Sequence, residues 1–178
     1  MRKTSFVLVG LVVLLGLATT ADAQGRRRGP AAAAREEPQT QLPGAVSQAI
    51  AAAFPGATVS DAEQDTDEGV SVYDVELSNG TNVEVTADGV ILEVGYDTTM
   101  QKIPAPAAKA LQAAGAGATL DGVQRVEVRA EIDGGKVVKL AQPATEYSAT
   151  FKKGGKIGEV RAGADGKVLD PMEWEVDD

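Results

Sequence analysis

The spacing of hydrophobic positions changes period repeatedly along the chain and so marks out its elements. Val46, Ala49, Ile50 and Ala53 recur at helical spacing and share one face. Pro43 suits a first helical position, where a missing N–H is harmless. Phe54-Pro55-Gly56 ends the helix, because proline disfavours helix in the residue before it and glycine permits the turn. A short strand starts at Ala57 to Val59, and Asp61 to Gly69 reads as an acidic connection. The period then becomes two. Tyr73, Val75 and Leu77 lie on one side of a strand from Val70 to Leu77. Ser78-Asn79-Gly80 is a hairpin turn, since Asn-Gly accepts positive φ angles. Thr81 to Thr86 returns with Val83 and Val85 inward, Ala87-Asp88-Gly89 turns again, and Val90 to Tyr96 closes a meander.

The same order comes round a second time. Ile103-Pro104 opens a stretch ending at Gly117-Ala118-Thr119-Leu120, as Leu42-Pro43 opens one ending at Gly56-Ala57-Thr58-Val59. The register holds through the helical stretch: Val46 with Ala107, Ala49 with Ala110, Ile50 with Leu111. Tyr73 to Leu77 matches Tyr147 to Phe151, and Asp88 to Leu92 matches Asp165 to Leu169. A repeat fixes the structural unit before any element is assigned. The spacing predicts an α+β fold of two tandem repeats, each a short helix packed on an antiparallel sheet of about four strands. The second unit drifts. Gly115-Ala116 replaces Phe54-Pro55, so its helix lacks an aromatic plug. Val126, Val128, Ala130 and Ile132 alternate as a strand, and Asp133-Gly134-Gly135 turns it into Lys136 to Leu140 as an extra hairpin. Strands from Glu146 to Phe151, Lys156 to Arg161 and Lys167 to Asp170 follow, and Met172, Trp174 and Val176 alternate in the tail. The expected division is residues 41–98 for the first unit, 99–171 for the second and 172–178 for an acidic tail.

What precedes the first helix has a different character. Arg2 and Lys3, the apolar run from Phe6 to Ala18, and Ala21-Asp22-Ala23 have the form of a secretory signal over residues 1–23, with cleavage near Ala23. The run is short for a membrane span, and an uncleaved anchor is the alternative reading. Residues 24–40, with Arg26-Arg27-Arg28-Gly29-Pro30 and Ala31 to Ala34, have too little hydrophobicity to order themselves and read as a linker. The arginine triplet is a solvated spacer, an extension of the export signal, or a contact for an anionic surface. The protein is thus expected to be periplasmic or secreted, with no membrane span in the mature chain.

Composition removes whole classes of chemistry. The chain has no cysteine and no histidine. A disulfide framework, a thiol nucleophile, the commonest general base and the commonest transition-metal ligand are all absent. No serine stands in a nucleophile elbow, and no carboxylate pair is singled out for acid–base work, so no catalysis is expected. Charge is divided. No lysine or arginine occurs from Gln41 to Tyr96, whereas the second unit is mildly basic. The halves therefore attract and orient each other, or the acidic one presents a surface to a cationic partner. The net charge of −9 argues against nucleic acid and against anionic membranes. Asp61, Glu63, Asp65, Asp67 and Glu68 form the densest polar cluster and would suit calcium. The EF-hand pattern fails, since Val70 stands where the sharp turn needs glycine. Otherwise no cofactor is expected. Aromatic anchors dominate protein interfaces, which makes Tyr73, Tyr96, Tyr147 and Trp174 the candidate partner contacts. Tyr73 and Tyr147 also stand at matching positions beside inward residues, as core residues would.

Leu42 to Val46, Phe54 to Ala57, Tyr73 to Leu77 and Asp88 to Leu92 together resemble the PepSY-like family. The tandem arrangement is similar to that of two-lobed PepSY-like and beta-lactamase-inhibitor-like exported bacterial proteins. The resemblance implies an exported protein-binding module without enzyme activity, an inhibitor or regulator of an envelope or secreted hydrolase or peptidase. It carries over no inhibitory residue, and it does not name the partner.

Overall fold

A computed structural model describes residues 41–176. The expected signal, the linker and the last two residues of the expected tail lie outside the described residues. The element order is α1 (Gly44–Ala53), β1 (Val59–Asp67), β2 (Val70–Leu77), β3 (Thr81–Thr86), β4 (Ile91–Asp97), α2 (Ala105–Ala114), β5 (Thr119–Asp133), β6 (Lys136–Lys152), β7 (Lys156–Gly163) and β8 (Val168–Val176). All eight strands form one antiparallel sheet in the order β1-β2-β3-β4-β5-β6-β7-β8. The fold is α+β, but the expected pair of four-stranded sheets is a single sheet, because β4 pairs with β5.

Both helices lie on the same face of that sheet. Each has 10 residues, too few to be stable alone, so packing holds them. α1 buries Val46 and Ile50, one turn apart, against Tyr73, Val75, Leu77, Val83, Val85 and Val94. α2 buries Ala107 and Leu111 against Val123, Ala149, Phe151, Val160 and Ala162. The missing aromatic at the end of α2 is supplied from β6. A Cβ on Gly115 would stand 2.1 Å from the Phe151 ring. The bulk that Phe54 brings to the first cluster reaches the second as Phe151, and Gly115 leaves it room.

Two strand boundaries differ from expectation, each for a physical reason. The acidic stretch after Val59 is strand, not a connection. Only Ala62 turns inward with an apolar side chain, opposite Val75, so the strand pattern is hidden. The turn after it is Glu68-Gly69, both at positive φ (45° and 85°), which suits a two-residue hairpin. The two strands expected from Lys136 to Phe151 are one strand, β6, running through Pro143. Leu140 to Pro143 all oppose Arg129 alone, between the pairs Val128–Ala144 and Ala130–Lys139. β7 pairs β6 only from Glu146 onward, so Pro143 withholds no bond there. Such an irregularity bends both strands.

The bend sends the outer part of the β5–β6 hairpin back over the helix-free face of the first half. Ala130, Ile132 and Val137 pack with Val70, Val72, Val90 and Leu92. At the tip, Gly135 N–H donates to Glu68 Oε2 at 3.0 Å. Met172 and Trp174, expected in the tail, stand in β8 and pack on the α2 cluster. Among the described residues no helix is long and apolar enough to cross a membrane.

The Gly115–Phe151 contact yields a test. Gly115→Ala should lower stability by about 1–3 kcal/mol, since the ring is buried and has nowhere to move. Gly122→Ala in β5, with nothing within 4 Å of the new Cβ, should change it little. Thermal denaturation of the two variants beside the parent decides the matter.

Candidate functional site: an acidic edge strand and the ion cluster behind it

Strand alternation sorts charge onto the face that carries no helix. β1 is an edge strand, with Asp61, Glu63, Asp65 and Asp67 on that face. In β2 the same face carries Val72, Asp74 and Glu76, and in β3 Asn82, Glu84 and Thr86. Register lines up four acids directly across four strands: Glu63 with Asp74, Asp74 with Glu84, Glu84 with Glu93. Like charges directly opposite one another destabilise a sheet. Burial deepens along the row. Glu63 is exposed, Asp74 half-buried, and Glu84 and Glu93 are buried.

One cation closes the inner end. Arg161 of β7 is 4% exposed. Its Nη1 donates to Glu93 Oε2 at 2.6 Å, its Nε donates to Glu159 Oε1 at 3.2 Å, and Glu146 Oε2 is 4.0 Å from Nη1. Burial acts to lower the Arg161 pKa, but Glu93 and Glu159 outweigh it and raise the value. Glu159 is pushed up by burial, with Arg161 pulling it back. Away from this guanidinium the acids are less well matched. Burial, then repulsion from Asp65, Glu63 and Glu93, lifts the Asp74 carboxyl from 3.8 to about 7. Burial first, then Glu93 and Asp74, holds Glu84 well above the usual carboxylate range. Desolvation and Glu68 raise Asp67. Two buried oxygens on this face, Asp74 Oδ1 and Asn82 Oδ1, have no hydrogen-bond donor among the described residues.

Charged side chains on an edge strand guard it against pairing with other chains. That role accounts for Asp61, Glu63 and Asp65. It does not account for Asp74 and Glu84, which lie inside the edge and whose pKa values burial and neighbouring acids raise. Perturbed carboxylates of this kind mark functional sites more often than chance allows.

The acids weighed as a calcium site lie in a strand and its turn rather than in a loop. Asp61, Glu63, Asp65 and Asp67 are strung along a strand, and Glu68 sits in the turn, its carboxylate on Gly135. Among the described residues no three acids converge as metal ligands would. The four aromatics fall into two pairs. Tyr73 is in the α1 cluster, with Tyr96 packed beside it under the Arg125 guanidinium, 5.0 Å from the ring centroid. Tyr147 and Trp174 pack on the α2 cluster. All four lie on the helix face, away from the acids. The ion cluster is what the sequence reading missed. The Asp74-Val75-Glu76 alternation signals a charged sheet face, but nothing local joins it to Arg161.

Fold and site together define a helix-on-antiparallel-sheet protein with one strongly acidic open edge. The PepSY family, described as peptidase propeptide and YPEB domain, has a family model that matches residues 43–90, so the family resemblance holds for that segment. No curated protein matches. A candidate periplasmic protein from Bacteroides eggerthii is similar in structure, with a TM-score of 0.51 and 17% identity over 75% of this chain and 89% of that one. A DUF2874 family protein from Bacteroides uniformis gives 0.50 and 18%, over 75% and 90%. A BLIP-like protein from Bacteroides fragilis gives 0.46 and 17%, over 76% and 88%. The first two likenesses are likenesses of fold alone, and the third adds nothing to them.

Two outcomes follow from the charges. Arg161→Met leaves Glu93 and Glu159 buried beside each other without a cation. It should cost about 3–5 kcal/mol at about pH 8 and less at about pH 5, where the acids take up protons. Urea unfolding at both pH values measures this, and an equal loss at both would count against the ion cluster. Asp74 gives a slope of known sign. Its folded pKa lies above the unfolded one, so the folded state binds the extra proton between about 4 and 7. Stability should therefore fall by a few kcal/mol as pH rises through that window and level off above it. Asp74→Asn should flatten that part of the profile.

Proposed function

We propose that this protein is an exported, non-catalytic protein-binding module that regulates or inhibits an envelope or secreted hydrolase or peptidase. The acidic edge of the sheet is its contact surface. One observation carries the reading. β1 is an open edge strand whose exposed carboxylates stand in a stretch, Gln41 to Gln101, that contains no lysine or arginine. An open edge offers backbone hydrogen bonds to an extended segment, and its charge selects a cationic one. The PepSY match at residues 43–90 supports the same reading, as that family's description includes a peptidase propeptide. On this view the two halves are copies of one unit, of which the first kept its acidic edge and the second gained a covering hairpin. Partly exposed Tyr96 and Trp174 serve as secondary contacts.

The test compares the chain from Gln24 onward with a variant carrying Asp61→Asn, Glu63→Gln and Asp65→Asn. All three residues are exposed, so the variant should fold as the parent does. The parent is expected to retain a hydrolase from the cell-envelope extract and lower its activity, and the variant at least about tenfold less. Equal retention by both would move the contact elsewhere. A captured hydrolase with undiminished activity would end the inhibitor reading. Adding calcium to the same experiment is expected to change nothing.

A further inference from the structure

Beyond Val128 and Ala144 the β5–β6 hairpin leaves the sheet. β4 pairs with β5 no farther than Glu93–Val128, and β7 pairs with β6 only from Glu146. Among the described residues, the strand segments from Ala130 to Lys139 therefore pair only with each other. The joint is the stretch from Leu140 to Pro143, which faces Arg129 alone. Few contacts hold this outer hairpin down. Ala130, Ile132 and Val137 rest on Val70, Val72, Val90 and Leu92, and at the tip Gly135 N–H donates to Glu68 Oε2. The tip fits closely, since a Cβ on Gly135 would stand 3.0 Å from the Glu68 carbonyl oxygen. Two strands alone are marginal in water, so the same contacts also preserve the hairpin's own ladder.

The outer hairpin lies against the row of acids. Val72, which it covers, precedes Asp74 by two positions on one face of β2, and Thr86, paired with Val72, follows Glu84 by two in β3. Asp74 and Glu84 stand directly opposite each other, with Glu63 of β1 and Glu93 of β4 at either side. Asp65 and Asp67 of β1 and Glu76 of β2 share the face. Arg161 of β7 is held by Glu93, with Glu159 of β7 and Glu146 of β6 around it. Neither Asp74 nor Glu84 forms an ion pair among the described residues. The hairpin's inner side brings the cation Lys139, opposite Ala130, but that side chain is exposed. Glu84 is 4% exposed, and Asp74 Oδ1 is buried with no hydrogen-bond donor. Adjacent carboxyls kept from water, with no cation of their own, favour the protonated form, and water admitted beside them favours the ionised one.

We propose that the outer β5–β6 hairpin is a proton-linked flap, closed against the acid row while Asp74 and Glu84 hold protons and released when they ionise. Its hinge is Leu140 to Pro143, and its catch is the contact between Glu68 and Gly135. Burial, then Asp65, Glu63 and Glu93, raises the Asp74 carboxyl to about 7, and burial, then Glu93 and Asp74, raises Glu84. Both groups thus bind protons more tightly in the closed form. Closure is firmest at acid pH and weakens as pH rises through about 7. Release uncovers the apolar strip of Val70, Val72, Val90 and Leu92 beside the acids. The motion needs no partner protein, so it stands apart from the binding role proposed above.

Amide hydrogen exchange of the chain from Gln24 onward measures the opening, with each rate divided by the intrinsic rate at that pH. Between about pH 5 and about pH 8, protection of Ala130 to Lys139 is expected to fall at least about tenfold. Protection of the inner β6–β7 ladder, Glu146 to Lys152, should stay level. A variant carrying Asp74→Asn and Glu84→Gln should keep at about pH 8 the hairpin protection that the parent has at about pH 5, and Asp74→Asn alone should keep part of it. Hairpin protection indifferent to pH in the parent, or falling as far in the doubly neutral variant, would overturn the proposal. So would an equal fall in the hairpin and in the inner ladder, which is a loosening of the whole sheet rather than of the flap.

Discussion

The Arg161–Glu93 pair is the contact on which the rest of the fold depends. It joins a strand of the second half to the first half's last strand, 68 positions apart, within hydrogen-bonding distance and almost out of water. Taking such ions out of water costs several kcal/mol each, and only close geometry with further hydrogen bonds offsets that. Glu159 supplies one further bond, and Glu146 adds its charge at 4.0 Å. The guanidinium can sit there only because the sheet is continuous from β4 through β7. Two separate four-stranded lobes would leave Glu93 without this cation, while Arg161 would keep Glu159 within its own half.

The bent hairpin follows from the same constraint. Acids on an open sheet face would ordinarily stay in water at little cost. The fold-back of β5 and β6 lays Ala130, Ile132 and Val137 on Val72 and Leu92, which seals one end of the charged face. Desolvation is accordingly the leading cause of the raised Asp74 and Glu84 pKa values, with mutual repulsion second. The apolar seal and the ionic cluster are one arrangement, since the seal makes the charges matter and Arg161 makes the seal tolerable.

Much of this was legible in the sequence, and what was not has physical causes. α1 is legible because Val46 and Ile50 keep helical spacing between Pro43 and Pro55-Gly56. The β2–β3 hairpin is legible because Asn79-Gly80 demands its turn. β1 is hidden because an edge strand needs only one inward apolar residue, Ala62, and its other positions are polar. β6 is hidden because Pro143 and the unpaired Leu140 to Pro143 look like a break. The exposed part of the site was visible as an acidic run, though read as a loop. Its buried part was not, because the partner of Glu93 is fixed by strand order and register rather than by any local pattern. Tyr73 and Tyr147, whose matching positions already suggested core roles, stand with Tyr96 and Trp174 at the two helix-side clusters.

Strand order also governs how such a chain can assemble. Every strand pairs with its neighbour in sequence, so each new strand of a chain arriving N-terminus first finds its partner already in place. Local pairing of this kind speeds folding. The cation does not keep to that schedule. Arg161 lies in β7, so Glu84 and Glu93 have no counter-charge from that guanidinium until nearly the whole chain has emerged. The first half, however complete its hydrogen bonds, stays electrostatically unfinished until the seventh strand brings Arg161 to Glu93.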